Sequence, residues 1–266
     1  MAIIYGPVPS WRLGRSLGID LLNVPGKVCT FNCVYCQLGD IAGSILEPRD
    51  FVNLQQLRGE MEALGPVNAD YATFSGTGEP TLAANLGEAI ELARSELTLP
   101  VAVLTNSSLI SRPEIRERLA RADVVVAKLD AADQDLFSLI NRPAPGLRFD
   151  QIVEGLRLLR AEYRGRLALQ IMFVRVNEGH AGDIAALARS ISPDEVQINT
   201  PLRPSKAKPL SPETIADIRA QFTGLPNLVT AYEAPPCDVT PLDSAETLRR
   251  RPGTDHRDHS RAWHDR

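Results

Sequence analysis

From Asp50 onward two textures alternate along the chain, and this alternation restricts the available folds more than any other feature. Short β-prone runs rich in Val, Ile, Leu or Phe occupy residues 69–74, 100–104, 123–127, 167–174 and 195–200. Between them apolar residues recur at three- and four-residue steps. Leu54, Leu57, Met61 and Leu64 form one helical face, and Leu82, Leu86, Ala89, Ile90 and Ala93 a second. Phe149, Ile152, Val153, Leu156 and Leu159 form a third. An earlier β-prone run, 19–24, brings the strands to six. Strand–helix repetition implies a parallel sheet, wound one way by right-handed crossovers. Six units fall short of the closed eight-stranded barrel. The expected fold is therefore α/β, a partial (β/α)6 barrel with a mostly parallel sheet and outer helices. An open doubly wound sheet is the alternative.

In both folds functional groups gather at the carboxyl ends of the strands. Polar residues here follow that rule. Three cysteines follow the first run and Ser75-Gly76-Thr77-Gly78-Glu79-Pro80 the second. Thr105 and Asn106, Lys128 and Asp130, Arg175 and Asn177, and then Asn199, Thr200 and Arg203 follow the others. The glycines at 76 and 78 let backbone approach a neighbour closely or take positive φ, and the Glu79 carboxylate suits an ammonium partner. Glu79-Pro80 also reads as a plain helix start.

The cysteines stand as Cys29-Thr-Phe-Asn-Cys33-Val-Tyr35-Cys36, three thiols within eight residues. Ordinary four-iron clusters take four cysteines and structural zinc takes four ligands. No fourth Cys or His lies near; the remaining cysteine is Cys237 and the first histidine His180. Three thiolates on a cubane would leave one iron open. A zinc-stabilised binding module closed by Cys237, and an electron-transfer protein with a fully ligated cluster, are the rival readings. Cys237 is otherwise a candidate redox or hydrogen-donating thiol, or an ordinary small residue.

The C-x3-C-x2-C loop, the Gly-rich turn ending in Glu79 and the six βα units together resemble the radical S-adenosylmethionine (SAM) superfamily over roughly residues 1–235. The opening Tyr5-Gly-Pro-Val-Pro-Ser-Trp-Arg-Leu-Gly, residues 75–82 and Asn199-Thr-Pro-Leu-Arg-Pro204 resemble a narrower group, the iron–sulfur oxidoreductases related to wyosine-tRNA base synthases. The resemblance implies an enzyme of oxidoreductase or lyase type. Cys29, Cys33 and Cys36 would hold a [4Fe–4S] cluster whose open iron chelates SAM. Tyr35 would lie against the adenine, and Gly76, Gly78 and Glu79 would meet the SAM amino group. Asn106, Asp130 and Asn199 would add SAM or substrate contacts. Reductive cleavage of SAM to a 5′-deoxyadenosyl radical would then act on a substrate the sequence does not name. A low-potential donor of the flavodoxin or ferredoxin kind would supply the electron, and tRNA enters as a partner by analogy alone. Trp11 departs from the arginine expected in the narrower group.

Of the 266 residues, 44% are hydrophobic and 23% charged, as in ordinary globular proteins. No apolar run reaches the length of a membrane-spanning helix, and residues 1–7 lack signal-peptide character. A cytoplasmic, reducing compartment is expected, since it keeps clustered thiols free for metal. The net charge of −4 counts against a broad nucleic-acid face. Arg203, Lys206 and Lys208 read as a solvated loop, and Arg142 as an oxyanion binder or a surface arginine. Residues 1–240 are expected to form the core domain. Residues 241–266, heavily charged and including His256, His259 and His264, are expected to form at most one short helix and then a disordered tail.

Overall fold

The computed structural model describes residues 1–41, 45–233 and 237–252. One sheet contains eight strands in chain order: β1 (Ile4–Ser10), β2 (Gly14–Ile19), β3 (Tyr71–Phe74), β4 (Val101–Thr105), β5 (Val124–Lys128), β6 (Arg166–Met172), β7 (Glu195–Asn199) and β8 (Leu228–Thr230). β1 and β2 pair antiparallel, and every later neighbour pairs parallel. Crossover helices are α1 (Leu54–Glu62), α2 (Leu86–Leu97), α3 (Pro113–Leu119), α4 (Gln134–Asn141), α5 (Phe149–Glu162), α6 (Ala181–Ile191) and α7 (Pro212–Gln221). A last helix, α8 (Ser244–Arg250), follows β8. This is the expected partial barrel, extended by one strand at each edge.

The first strand expected at 19–24 runs earlier, over Gly14–Ile19, and Asp20 turns the chain away by accepting the Leu22 N–H at 3.2 Å. Its two glycines disguise it. Gly18 is required because a Cβ there would sit 2.1 Å from the Tyr5 ring, which crosses from β1. β1 carries Pro7 and Pro9, which sit at an edge where the missing N–H groups break no central ladder.

Period-two alternation divides the side chains between two faces. Val101 and Val103 of β4, Val125 and Ala127 of β5, Leu167, Leu169 and Ile171 of β6, and Val196 and Ile198 of β7 join the main core with the helices. α5 shows the helical half of the match, burying Phe149, Ile152, Val153, Leu156 and Leu159 on one stripe. Truncating fully buried Leu156 to Ala would cost ~2–5 kcal/mol. On the inner face Ala102, Val124, Val126 and Ala168 form a smaller cluster closed by Leu13 of the β1–β2 turn. Further along the inner face the residues become polar, with Gln170 of β6 registered against Gln197 of β7.

α8 is capped by Asp243, which accepts from the N–H groups of Ala245 and Glu246. Its sequence is charged, but Arg250 is buried to 1% exposure, so the segment does bury a side chain. The three tail histidines and the expected disordered stretch lie outside the described residues. Among the described residues no helix is long and apolar enough to cross a membrane.

Candidate functional site

Irregular backbone carries the cysteines, and its hydrogen bonds run to two flanking segments. On one side the Val28 N–H reaches the Thr77 carbonyl at 3.0 Å and the Glu79 N–H reaches the Val28 carbonyl at 3.0 Å. On the other the N–H groups of Asn32 and Val34 bond the carbonyls of Asn141 and Ile140 at 3.0 and 2.9 Å, and the Ala144 N–H bonds Thr30 at 2.8 Å. Phe31 packs edge-on to Phe137 of α4, ring centres 5.2 Å apart. The cysteine loop is thus a backbone layer between the Gly-rich turn and the end of α4.

The turn's glycines answer to this packing. A Cβ on Gly78 would lie 1.5 Å from the Val28 carbonyl oxygen. Gly76, at φ +150°, has the Asp20 carboxyl carbon 2.3 Å from its would-be Cβ. Asp20 in turn accepts from the Thr77 hydroxyl and N–H.

Two asparagines point at the thiols. Asn106, after β4, donates to Cys29 Sγ at 3.4 Å and Thr30 Oγ1 at 2.8 Å. Asn141, the last residue of α4, donates to Cys33 Sγ at 3.5 Å and to Asp130 at 2.8 Å. Asp130, after β5, also accepts from the Tyr35 hydroxyl and from the Met172 N–H at 2.8 Å. Lys128 Nζ sits 4.6 Å from the centre of the Tyr35 ring and 3.1 Å from its hydroxyl. Glu79 is buried to 1% exposure. One of its oxygens takes the N–H and the hydroxyl of Thr81 at 3.1 and 2.7 Å and the Thr105 hydroxyl at 2.7 Å; the other takes the Asn106 N–H at 2.6 Å.

Burial governs the proton affinities. It pushes the Cys29 thiol up to about 12, with the Cys33 and Glu79 charges adding to the effect. Cys33 is raised by burial against the opposing charge of Lys128. Burial also raises Glu79, although its four hydrogen bonds pull the other way, and holds the Tyr35 hydroxyl protonated.

Cys29, Cys33, Tyr35, Gly76, Gly78, Glu79, Asn106 and Asp130 belong to one connected set of bonds and close contacts, which Cys36 joins through its N–H to the Cys33 carbonyl at 3.0 Å. Asn199, at the end of β7, is 7% exposed and its Oδ1 accepts the Thr200 N–H at 2.9 Å. Cys237 falls elsewhere. Burial raises its thiol, and the charges acting on it include Asp70 and Arg15, at the amino ends of β3 and β2, whereas the cysteine loop leaves the carboxyl end of β2. Among the described residues no group of three metal-ligating side chains includes Cys237. Arg142 is exposed; what it gives the loop is its carbonyl, 3.1 Å from the Asn32 N–H. Arg203 is not a solvated loop residue, since it donates to Gln37 beside Cys36 at 3.0 Å.

Sequence reasoning missed Asn141, Asp20 and Arg250. Asn141 stood next to Arg142 in the same motif, and an amide at a helix end was the available signal. Arg250 donates to Asp20 at 2.9 Å and to the Asn23 amide oxygen at 3.0 Å. Its carbonyl accepts from the Gln37 amide at 3.1 Å, so it touches both the cysteine loop and the residues beneath the Gly-rich turn.

Three thiols stand on one loop with amide N–H donors on two of them, an arrangement that suits a thiolate-held metal or cluster. Among the described residues no three His, Cys, Asp or Glu side chains converge on one point as ligands of a single ion do.

The family model of the radical SAM superfamily matches residues 23–188. A UPF0026 protein of Methanocaldococcus jannaschii is 37% identical over 232 residues, 84% of this chain and 71% of that protein. Two solved structures share the fold. TYW1 with a bound lysine-pyruvate adduct superposes at TM-score 0.57 and 15% identity, covering 78% of this chain and 72% of that one. Native anSMEcpe with bound AdoMet superposes at TM-score 0.60 and 16% identity, covering 82% and 64%. The family match begins just before the cysteine loop, takes in β3 through β6 and ends within α6. With the loop held between the Gly-rich turn and α4 on such a half barrel, this chain belongs to the radical SAM superfamily, and within it to the UPF0026 proteins.

Proposed function

We propose that this protein is a radical SAM enzyme in which Cys29, Cys33 and Cys36 hold a [4Fe–4S] cluster and SAM binds beside it. The observation that carries this reading is the backbone bridge between Val28 and Gly78, which fixes the thiol-bearing loop against the Gly-rich turn. When bound, the cluster and SAM supply one-electron reductive cleavage of the sulfonium and hence a carbon radical that takes hydrogen from substrate.

The chain's own residues hold and position. Asn106 and Asn141 donate N–H groups to the Cys29 and Cys33 sulfurs, which favours the more electron-rich state of a thiolate-held cluster. Glu79 uses both oxygens to join the turn to the end of β4. Asp130 orients Tyr35, leaving the ring edge and Lys128 at the rim of the site. Asn199 would contribute from β7 to SAM or substrate. Free thiols of this kind call for a reducing compartment such as the cytoplasm, and the electron for a low-potential flavodoxin- or ferredoxin-like donor. A tRNA substrate rests on the likeness to wyosine synthases.

The test uses protein reconstituted without oxygen, reduced with dithionite and given SAM. A SAM-dependent shift of the cluster's electron paramagnetic resonance spectrum with release of 5′-deoxyadenosine is expected, and both should vanish in Cys33→Ala. A cluster indifferent to SAM, or cleavage at an unchanged rate in Cys33→Ala, would overturn the reading.

A further inference from the structure

α8 lies beyond residues 23–188, which the family model matches, yet its last residue reaches both the cysteine loop and the Gly-rich turn. The helix packs on the edge strand β1. There the Gly6 N–H donates to the Thr247 hydroxyl at 3.2 Å, and the Gly6 carbonyl accepts from the Leu242 N–H at 2.5 Å. Backbone groups that an edge strand would leave open are thereby covered. Covering them needs no charge, and α8 nevertheless carries the Arg250 side chain to 0% exposure.

Every nitrogen of that guanidinium has acceptors. Nε donates to Asp20, Nη1 to the Glu246 carboxylate at 2.7 Å and the Glu246 carbonyl at 3.0 Å, and Nη2 to the Asn23 amide oxygen and the Ala2 carbonyl. Its central carbon stands over the Tyr5 ring, 4.7 Å from the centre. Three of these contacts lead into the candidate site. Asp20 accepts from the Thr77 N–H at 3.3 Å and from its hydroxyl at 3.1 Å. The Tyr5 hydroxyl bonds the Ser75 hydroxyl at 2.9 Å, at the start of the Gly-rich turn. The Arg250 carbonyl accepts from Gln37, the residue after Cys36, at 3.1 Å.

Exchanging a sealed ion pair for apolar side chains of like volume often leaves stability unchanged, so stability alone does not call for one here. A planar fork with all its bonds made fixes the relative position of its partners. We propose that Arg250 is a positioning residue for SAM, and α8 the clasp that carries it. Arg250 holds the Gly-rich turn and the end of the cysteine loop in the spacing that the ligand requires. A turn released from it would occupy the binding arrangement only part of the time, and apparent affinity falls by that fraction. That SAM is the ligand rests on the proposed function. That α8 holds the two segments together does not.

Two readouts on the full chain test this, at a temperature where circular dichroism shows every variant folded. The control is Leu156→Ala, a cavity in α5 that lowers global stability by a comparable amount away from the site. In protein without cluster, amide hydrogen exchange at Val28, Thr77 and Glu79, taken relative to Ala102 and Val103 of β4, should quicken roughly tenfold in Arg250→Gln, the weight of one charge-assisted bond. In Leu156→Ala that ratio should not change. In cluster-loaded protein, equilibrium binding should show the SAM dissociation constant raised about fivefold or more in Arg250→Gln and unchanged in Leu156→Ala. Arg250→Lys keeps a charge for Asp20 and loses the fork, so it should fall between parent and Gln, and it serves alone if the Gln variant does not fold. Exchange and affinity that move no more than in Leu156→Ala would overturn the proposal. Faster exchange with unchanged SAM affinity would overturn the positioning role. A parent that binds no SAM would remove the proposed function and the role toward SAM, and exchange alone would then decide the clasp.

Discussion

Arg250 places its Nε 2.9 Å from a carboxylate oxygen of Asp20, with the two side chains 0% and 2% exposed. They are 230 positions apart in the chain. Asp20 supports Thr77, so the pair connects the last helix to the floor of the Gly-rich turn. Removing one member of a sealed pair leaves the other charge uncompensated, at a cost of ~3–5 kcal/mol. Urea denaturation of Arg250→Ala should show a loss of that size. Arg250→Met combined with Asp20→Asn should recover much of it. If the single variant were as stable as the parent, the pair would have no structural role.

Gly78→Ala is expected to be among the most damaging small substitutions in the chain. Its methyl would fall 1.5 Å from the Val28 carbonyl oxygen, a backbone atom already committed to the Glu79 N–H. Overpacking ordinarily costs ~1–3 kcal/mol, and this contact should exceed that range. Gly26→Ala, where nothing lies within 4 Å of the added carbon, is the comparison: its positive φ of +86° leaves only backbone strain. Thermal denaturation of the two, with iron content after reconstitution, separates the effects.

For Glu79 two effects compete. Burial raises its folded pKa above the ordinary 4.5, so the folded state holds this proton more tightly than the unfolded chain does. The charged form therefore opposes folding, fully above the folded pKa and not at all below the unfolded value. Glu79→Gln removes that cost. It also removes an acceptor, because each carboxylate oxygen receives a backbone N–H, from Thr81 and from Asn106. However the amide is turned, one of those donors faces an NH2 group. The lost acceptor should win, by ~1–3 kcal/mol, and the decline in stability across the Glu79 titration should disappear. Denaturation midpoints at several pH values check both parts.

Loading of the thiol site should release protons. Cys29 and Cys33 are raised from the ordinary thiol value of 9.0 and are protonated at neutral pH, whereas metal takes the thiolate. Iron incorporation should therefore improve as pH rises from about 7 to about 9. Iron and sulfide analysis of protein reconstituted anaerobically across that range would show the trend, and an optimum at acid pH would contradict it.

Most of the sheet could be read from residues whose burial is local in cause. The runs expected at 69–74, 100–104, 123–127, 167–174 and 195–200 contain β3 to β7 apart from residues at the ends, because a strand packed by helices must be apolar. β1 was missed because Pro7 and Pro9 count against a central strand and say nothing against an edge. β8 was missed because three residues, Leu228–Thr230, carry no period. In the site, the cysteines, the Gly-rich turn, Asn106 and Asp130 announced themselves by residue type after strands. Arg250 could not. A charged residue in a charged segment looks solvated until Asp20, at the other end of the chain, is placed beside it.

The backbone bonds around residues 28–34 have a practical consequence for anyone moving this chemistry to another scaffold. The cysteine spacing is not a portable cassette. Its loop keeps its shape by borrowing hydrogen bonds from Thr77–Glu79 on one side and from residues 140–144 on the other, so all three stretches would have to be transplanted together.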